Sequence, residues 1–124
     1  MLNKKLPYDY RQAAGMYFSS LVEVSGSLKE HDDIIIDGQF TGKIVTQGFC
    51  ELMENARFQG DLTARTVTIL GVADGEINGI DSIVVKKSAK IKGYYRTAKI
   101  SIESGAEVDA RLKQFHRTSE DTPI

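Results

Sequence analysis

Two glycines four positions apart, in the stretch IDGQFTGKI at residues 36–44, are the first feature of the sequence that suggests chemistry. Glycine-rich loops bind phosphate when their backbone N–H groups are free and the N-terminus of a helix follows. This stretch lacks the G-x-x-x-x-G-K-[ST] arrangement, and no helical pattern follows it. We therefore do not interpret Gly38 and Gly42 as a nucleotide site, and we predict no cofactor.

The other residues capable of chemistry are few and scattered. His31 and His116 lie 85 positions apart, which argues against a shared metal site. The pair Asp32–Asp33 is typical of a solvated corner rather than of an acid/base dyad. Cys50 is the one cysteine, so there is no internal disulfide, and it falls at an apolar position where it should act as a small core residue. The sequence thus predicts no catalytic, cofactor-binding or metal-binding residue, and no enzyme.

Length and composition indicate one soluble globular domain. The chain has 124 residues, 41% hydrophobic and 27% charged, with a net charge of −1. A nucleic-acid-binding protein would normally be more basic, so no nucleic-acid partner is expected. No apolar run approaches the roughly 20 residues of a membrane span, and no secretory signal opens the sequence. The expected location is cytoplasmic.

The glycine pair belongs to a repeat. Each unit has a small residue, an apolar residue two positions later, glycine two positions after that, and another apolar residue two positions further on. It occurs six times: VEVSGSL (22–28), GQFTGKI (38–44), ARFQGDL (56–62), GVADGEI (71–77), AKIKGYY (89–95) and AEVDARL (106–112). The fifth position is glycine except in the last unit, where it is Ala110.

The spacing of the units is uneven in a regular way. Successive fifth positions are separated by 16, 18, 15, 18 and 17 residues. In the longer units two extra residues precede the motif, with Asn55, Ser88 or Gly105 just before the alanine, and these are turn-forming residues. We expect the two kinds of unit to differ by a two-residue insertion at one corner.

Apolar and polar residues alternate within each unit, which indicates short strands separated by tight corners. A unit of about 17 residues buries its apolar side only by stacking on its neighbours. Three strands per unit predict a three-sided parallel β-helix (β-solenoid) of about six rungs, with flexible termini. Four inward-facing ladders follow: Val24–Phe40–Phe58–Ala73–Ile91–Val108, Leu28–Ile44–Leu62–Ile77–Tyr95–Leu112, Ile36–Leu52–Ile69–Val85–Ile102 and Ile34–Cys50–Val67–Ile83–Ile100. The residues between them should face solvent, among them Lys43, Asp61, Glu76, Lys90, Lys92 and Glu107.

The pattern DIIIDGQFTGKI … ARFQGDLTARTVTILGVADGEI … AKIKGYYRTAKISIESGAEVDARL resembles the bactofilins, a bacterial family of polymer-forming cytoskeletal proteins. The resemblance covers residues 20–114. It implies an all-β, right-handed β-helix that polymerises end to end, without nucleotide, into non-polar filaments. It also implies a scaffold for cell-wall enzymes and cell-shape machinery, attached in many members to the inner face of the cytoplasmic membrane by a short N-terminal segment.

The physics of a β-helix agrees with polymerisation. Each end exposes strand edges and an apolar cross-section, and such edges pair with other chains unless they are capped. The sequence has no amphipathic capping helix at its C-terminus. The expected interface residues are Val22, Val24 and Leu28 in the first coil and Val108, Leu112 and Phe115 at the last. Phe115 either plugs the last rung or contacts the next molecule directly, and the two roles are compatible.

The ends of the chain differ from the repeats. We divide the sequence into an N-terminal tail (1–20), a β-helix domain (21–114) and a C-terminal tail (115–124). Met1, Leu2, Lys4, Lys5 and Leu6 form an apolar and basic segment suited to weak contact with an anionic membrane, which a polymer would multiply. The stretch GMYF (15–18) more readily packs against the core.

Two other functions stay open on the sequence. One is a left-handed β-helix acyltransferase, which also has coils of about 18 residues. The uneven spacing breaks its hexapeptide register, and the coils contain no histidine to act as a base. The other is a monomeric adaptor of the same fold that binds a partner along one face.

Overall fold

The computed structural model describes residues 16–18, 23–30 and 33–115, and in these residues it contains strands and turns but no helix. Ten strands form one sheet that coils upon itself. They are β1 (Met16–Phe18), β2 (Glu23–Glu30), β3 (Ile34–Ile36), β4 (Gln39–Thr46), β5 (Phe49–Leu52), β6 (Arg57–Ile69), β7 (Val72–Val85), β8 (Lys90–Thr97), β9 (Ile100–Ile102) and β10 (Glu107–Gln114). β1 lies in the segment assigned to the N-terminal tail and pairs with β3, so the solenoid includes it.

Each coil has three sides, and equivalent segments stack as parallel strands. Side 1 consists of the segments before the recurring glycine: 23–25, 39–41, 57–59, 72–74, 90–92 and 107–109. Side 2 consists of the segments after it: 27–30, 43–46, 61–64, 76–79, 94–97 and 111–114. Side 3 consists of 16–18, 34–36, 49–52, 66–69, 82–85 and 100–102. The predicted three-sided parallel β-helix is confirmed.

The recurring glycine makes the corner between sides 1 and 2. Its backbone has positive φ in five rungs, from +105° at Gly93 to +136° at Gly42, a region that side chains disfavour. A Cβ at Gly60 would also collide with the carbonyl oxygen of Gly42 in the rung below. Glycine is therefore required by geometry. Ala110 in the last rung does not have positive φ, so that corner differs from the others.

The core consists mainly of members of the four predicted ladders, together with Ala56, Ala64 and Ala89. The strand register pairs every predicted neighbour, and the inward side chains of the central rungs are 0–1% exposed. Phe40 and Phe58 stack with their ring centroids 5.8 Å apart. The next member of the first ladder is the small residue Ala73. The Tyr95 hydroxyl donates a hydrogen bond of 2.7 Å to the Ala73 carbonyl oxygen. The small residue thus leaves room for a buried phenol.

The uneven repeat length is set at two corners rather than one. The predicted insertion is confirmed at the corner after side 3, where a turn is closed by Ala56 N–H donating to Met53 O at 2.9 Å and by Ala89 N–H donating to Lys86 O at 2.9 Å. In addition, the length of the corner between sides 2 and 3 varies by one residue. The third rung has only Arg65 there, next to a register shift, where the fourth rung has two residues. Variation at both corners yields the observed spacings of 15 to 18.

Candidate functional site

The last turn of the solenoid exposes the residues that form the core elsewhere. Ile102, Val108 and Leu112 are 42%, 40% and 40% exposed, and no larger exposure of a large hydrophobic residue occurs among the described residues. They stack directly on Val85, Ile91 and Tyr95, which are 0%, 1% and 0% exposed. The difference arises because, among residues 33–115, no rung lies above the last turn. We call this surface, formed by Ile102, Val108 and Leu112, the C-terminal face.

The backbone of this face is also open. In the described part of the chain β9 pairs with β7 and β10 pairs with β8, each along one edge. The opposite edges present unpaired N–H and C=O groups beside an apolar surface, which is the arrangement that templates further strand pairing. The C-terminal face therefore combines hydrophobic and hydrogen-bonding capacity for another strand-edged surface.

The predicted interface residues fall at both ends of the rod. Val108 and Leu112 lie on the C-terminal face. Phe115 follows β10, is half-buried, and its N–H donates to Thr97 O at 3.0 Å. Val24 and Leu28 lie in β2, in register with the ladder positions of the next rung, at the opposite end. Val22 and the predicted membrane segment of Met1, Leu2, Lys4, Lys5 and Leu6 lie outside the described residues.

Ile102 was missed as a candidate interface residue. It is the most exposed of the three large hydrophobics on the C-terminal face. The signal was present in the sequence, because Ile102 is the last member of its ladder, as Val108 and Leu112 are of theirs. The last member of every inward ladder is the residue to inspect at the end of a solenoid.

The groups that suggested chemistry have structural roles where the structure describes them. Cys50 is fully buried, and burial raises the pKa of its thiol far above the usual range. Asp33 accepts a hydrogen bond of 2.9 Å from Phe49 N–H and so fixes a corner. In the described ranges, no three His, Cys, Asp or Glu residues lie close enough to hold a metal ion. His31, Asp32 and His116 lie outside those ranges.

No helix among the described residues is long and apolar enough to cross a membrane. The described side chains outside the C-terminal face that lie between ladder positions are mostly polar, and those predicted to face solvent do so: Lys43, Asp61, Glu76, Lys90, Lys92 and Glu107.

Comparison with known proteins gives two matches of similar extent. Residues 16–113 match the family model described as "Bactofilin: Polymer-forming cytoskeletal". The chain is also 24% identical over 114 residues to Bactofilin BacO of Myxococcus xanthus (strain DK1622), an alignment that covers 87% of this chain and 90% of the relative. No solved structure matches the chain significantly.

Proposed function

The chain belongs to the bactofilin family of polymer-forming cytoskeletal proteins, and from this premise we propose that it assembles end to end into filaments through the C-terminal face and its counterpart at the other end. The observation that supports the proposal is the exposure of Ile102, Val108 and Leu112 at positions that are buried in the second to fifth rungs. Another solenoid end that covers them completes the core.

The apolar surface of the C-terminal face contributes to the contact. Fully burying a large aliphatic side chain stabilises by about 1.5–3 kcal/mol, so the remaining 40% of each of these three is worth about 1 kcal/mol. A joint of two C-terminal faces contains six such side chains and thus about 6 kcal/mol of apolar burial before the entropy of association. Backbone pairing between the open edges of β9 and β10 adds to this. No nucleotide is required.

We propose further that like ends meet, head to head and tail to tail, so that the filament has no polarity. Each joint is then two-fold symmetric. The corner geometry supports this arrangement. At the corner between sides 1 and 2, a head-to-tail joint would place Gly26 over Ala110. Inside the solenoid, the residue at this corner always lies over a glycine with positive φ in the preceding rung. The last rung therefore does not offer a following coil the corner that internal rungs offer.

In the cell, the proposed filament lies on the inner face of the cytoplasmic membrane and organises cell-wall enzymes or membrane proteins that set cell shape. The support for membrane contact is the apolar and basic character of residues 1–6. One such segment binds weakly, and a polymer presents many. Co-sedimentation with anionic vesicles tests this: a variant lacking residues 2–6 should form filaments that no longer pellet with the vesicles.

Electron microscopy of the purified chain without nucleotide is the decisive experiment for assembly. Filaments support the proposal. A uniform trimer that binds acyl-CoA would instead indicate the acyltransferase, and a uniform monomer would indicate the adaptor. Replacing Phe115 with arginine should shorten the filaments to small oligomers, since Phe115 borders the C-terminal face. Unchanged filaments would exclude Phe115 from the joint.

A further inference from the structure

Side 2 separates its charges along the axis of the solenoid. Its outward positions form two columns that run from rung to rung. The third and fourth rungs contribute Asp61 and Glu76, which we call the acidic patch. The fifth and sixth rungs contribute Arg96, Arg111 and Lys113, which we call the basic patch. All five side chains are exposed.

The other two sides lack this separation. On side 1 the sign of charge alternates from the third to the sixth rung, and Lys90 and Glu107 on neighbouring rungs lie 3.9 Å apart. The outward positions of the described segments of side 3 are nearly uncharged, with Glu51 as an exception. Among the described residues, neighbouring rungs of like charge occur only on side 2, at the third and fourth rungs and at the fifth and sixth; Lys43 of the second rung lies beside the acidic patch.

The charges of side 2 are only partly compensated within the described part of the chain. Lys43 of the second rung stacks directly on Asp61, whereas the other four patch residues have no opposite charge next to them in their columns. None of the five residues in the two patches forms an ion pair with another described residue. Asp61 stacks directly on Glu76, and Arg96 stacks directly on Lys113, at a strand spacing of about 4.8 Å. Like charges opposite one another on neighbouring strands are destabilising. An external surface that places opposite charge against each patch would relieve both repulsions.

We propose that this surface is side 2 of a second copy of the chain, packed antiparallel. A two-fold axis that runs along the strands, level with the gap between the fourth and fifth rungs, places the third rung opposite the sixth and the fourth opposite the fifth. Asp61 then faces Arg111, and Glu76 lies opposite the rung of Arg96. The contact thus contains two equivalent meetings, each of one copy's acidic patch with the other copy's basic patch.

The charge pattern also selects the direction. If the two copies ran parallel, each rung would face the same rung of the partner. The basic residues Arg111 and Lys113 would then face the partner's Arg111 and Lys113. Like-charge juxtaposition across an interface is strongly unfavourable and suppresses wrong pairings. The antiparallel arrangement is therefore the one that side 2 encodes.

The contact is too small to hold two isolated molecules together. The overlap covers four residues of each strand and four rungs, the third to the sixth, which measure roughly 13 Å by 19 Å, or about 250 Å² per copy, against about 800 Å² per partner in a stable complex. Exposed ion pairs contribute only about 0–1 kcal/mol each. In a filament, however, the same contact repeats along the length and the weak terms multiply. The proposed role of side 2 is thus to join filaments laterally into bundles, and it rests on the end-to-end assembly proposed above.

Charge reversal with rescue tests the inference on the full-length chain. Asp61→Lys and Arg111→Glu should each lower the fraction that pellets at low speed by at least about tenfold, because each substitution places like charges opposite one another at every repeat. The double variant restores the opposite signs and should return the pelleted fraction to within about twofold of the original. Arg57→Glu is the matched control, since Arg57 is an exposed arginine of side 1 with the uncharged neighbours Gln39 and Val72.

Electron microscopy of the same samples separates the two proposals. Absence of filaments from the original chain would overturn end-to-end assembly. Filaments that stay single in low salt, or bundles that persist in both single variants, would overturn the lateral contact and leave end-to-end assembly standing. Failure of the double variant to rescue would also overturn it. The bundles should dissolve into single filaments between about 0.02 M and about 0.5 M salt, since screening shortens the reach of exposed charges to a few ångströms.

Discussion

Replacing Ile102 with arginine addresses the C-terminal face at its most exposed position. The Ile102 side chain is 42% exposed in the single chain and stacks on Val85. Covering the exposed part in a joint is worth about 1 kcal/mol, and a two-fold joint contains Ile102 twice, so removing it costs about 2 kcal/mol. Two like charges enclosed without partners add at least about 2 kcal/mol. At about 1.4 kcal/mol per tenfold, the joint weakens about a thousandfold.

The products of Ile102→Arg distinguish the arrangements of the filament. If like ends meet, only the joint between two C-terminal faces is lost, and the filament falls apart into dimers held through the other end. If unlike ends meet, every joint is lost and monomers remain. Analytical ultracentrifugation measures the size, and electron microscopy checks for filaments.

Ser101→Arg is the matched control for Ile102→Arg. Ser101 is the preceding residue of β9, it is exposed, and its side chain points to the outside of side 3. The Ser101→Arg variant carries the same new charge on the same strand, and we expect it to form filaments like those of the original chain. Circular dichroism establishes that both variants fold. Filaments of normal length from folded Ile102→Arg would refute the role of the C-terminal face, and monomers would refute the pairing of like ends.

Three further predictions concern the corners and the core. Gly60→Ala should lower the free energy of unfolding by about 3 kcal/mol or more, because a positive φ is combined with a backbone collision. Gly105→Ala, with φ +105° and the nearest atom 3.4 Å from the added Cβ, should lower it by only about 1 kcal/mol. Equal losses of stability in thermal unfolding would contradict the collision. Tyr95→Phe should lower the free energy of unfolding by about 1–2 kcal/mol, because the Ala73 carbonyl loses the buried donor at 2.7 Å, and an unchanged denaturation midpoint would show that this bond contributes nothing. Cys50 should react with a thiol reagent only after unfolding, since burial raises its pKa and excludes the reagent; rapid labelling of the folded chain would disagree.

Much of the fold could be predicted because a solenoid has local rules that repeat. The alternation of Phe40, Gly42 and Ile44 recurs at the same offsets in each unit, and parallel stacking places equal positions above one another. Register, inward direction and the burial of Cys50 follow from that recurrence. The corner with Arg65 alone was not predicted, because one residue more or less at an exposed corner leaves the apolar alternation intact.

The candidate site was harder to predict than the fold. Ile102 has the same local sequence pattern as Val85, and only its place at the end of the stack makes it exposed. The bond between Tyr95 and Ala73 joins residues 22 positions apart and depends on the space that a small side chain leaves in the core. Neither feature has a local signature.

The sequence by itself thus determined a stack of rungs, the four inward ladders and the family. Each of these follows from a local pattern of apolar residues and glycine that recurs from unit to unit. Only the tertiary structure decided which ladder members stay exposed and which charges of side 2 lie next to one another. Exposure depends on what lies above a residue in space, and the grouping of Asp61 with Glu76 and of Arg96 with Lys113 depends on register between strands 15 to 17 residues apart. The function proposed for this chain lies in those two properties.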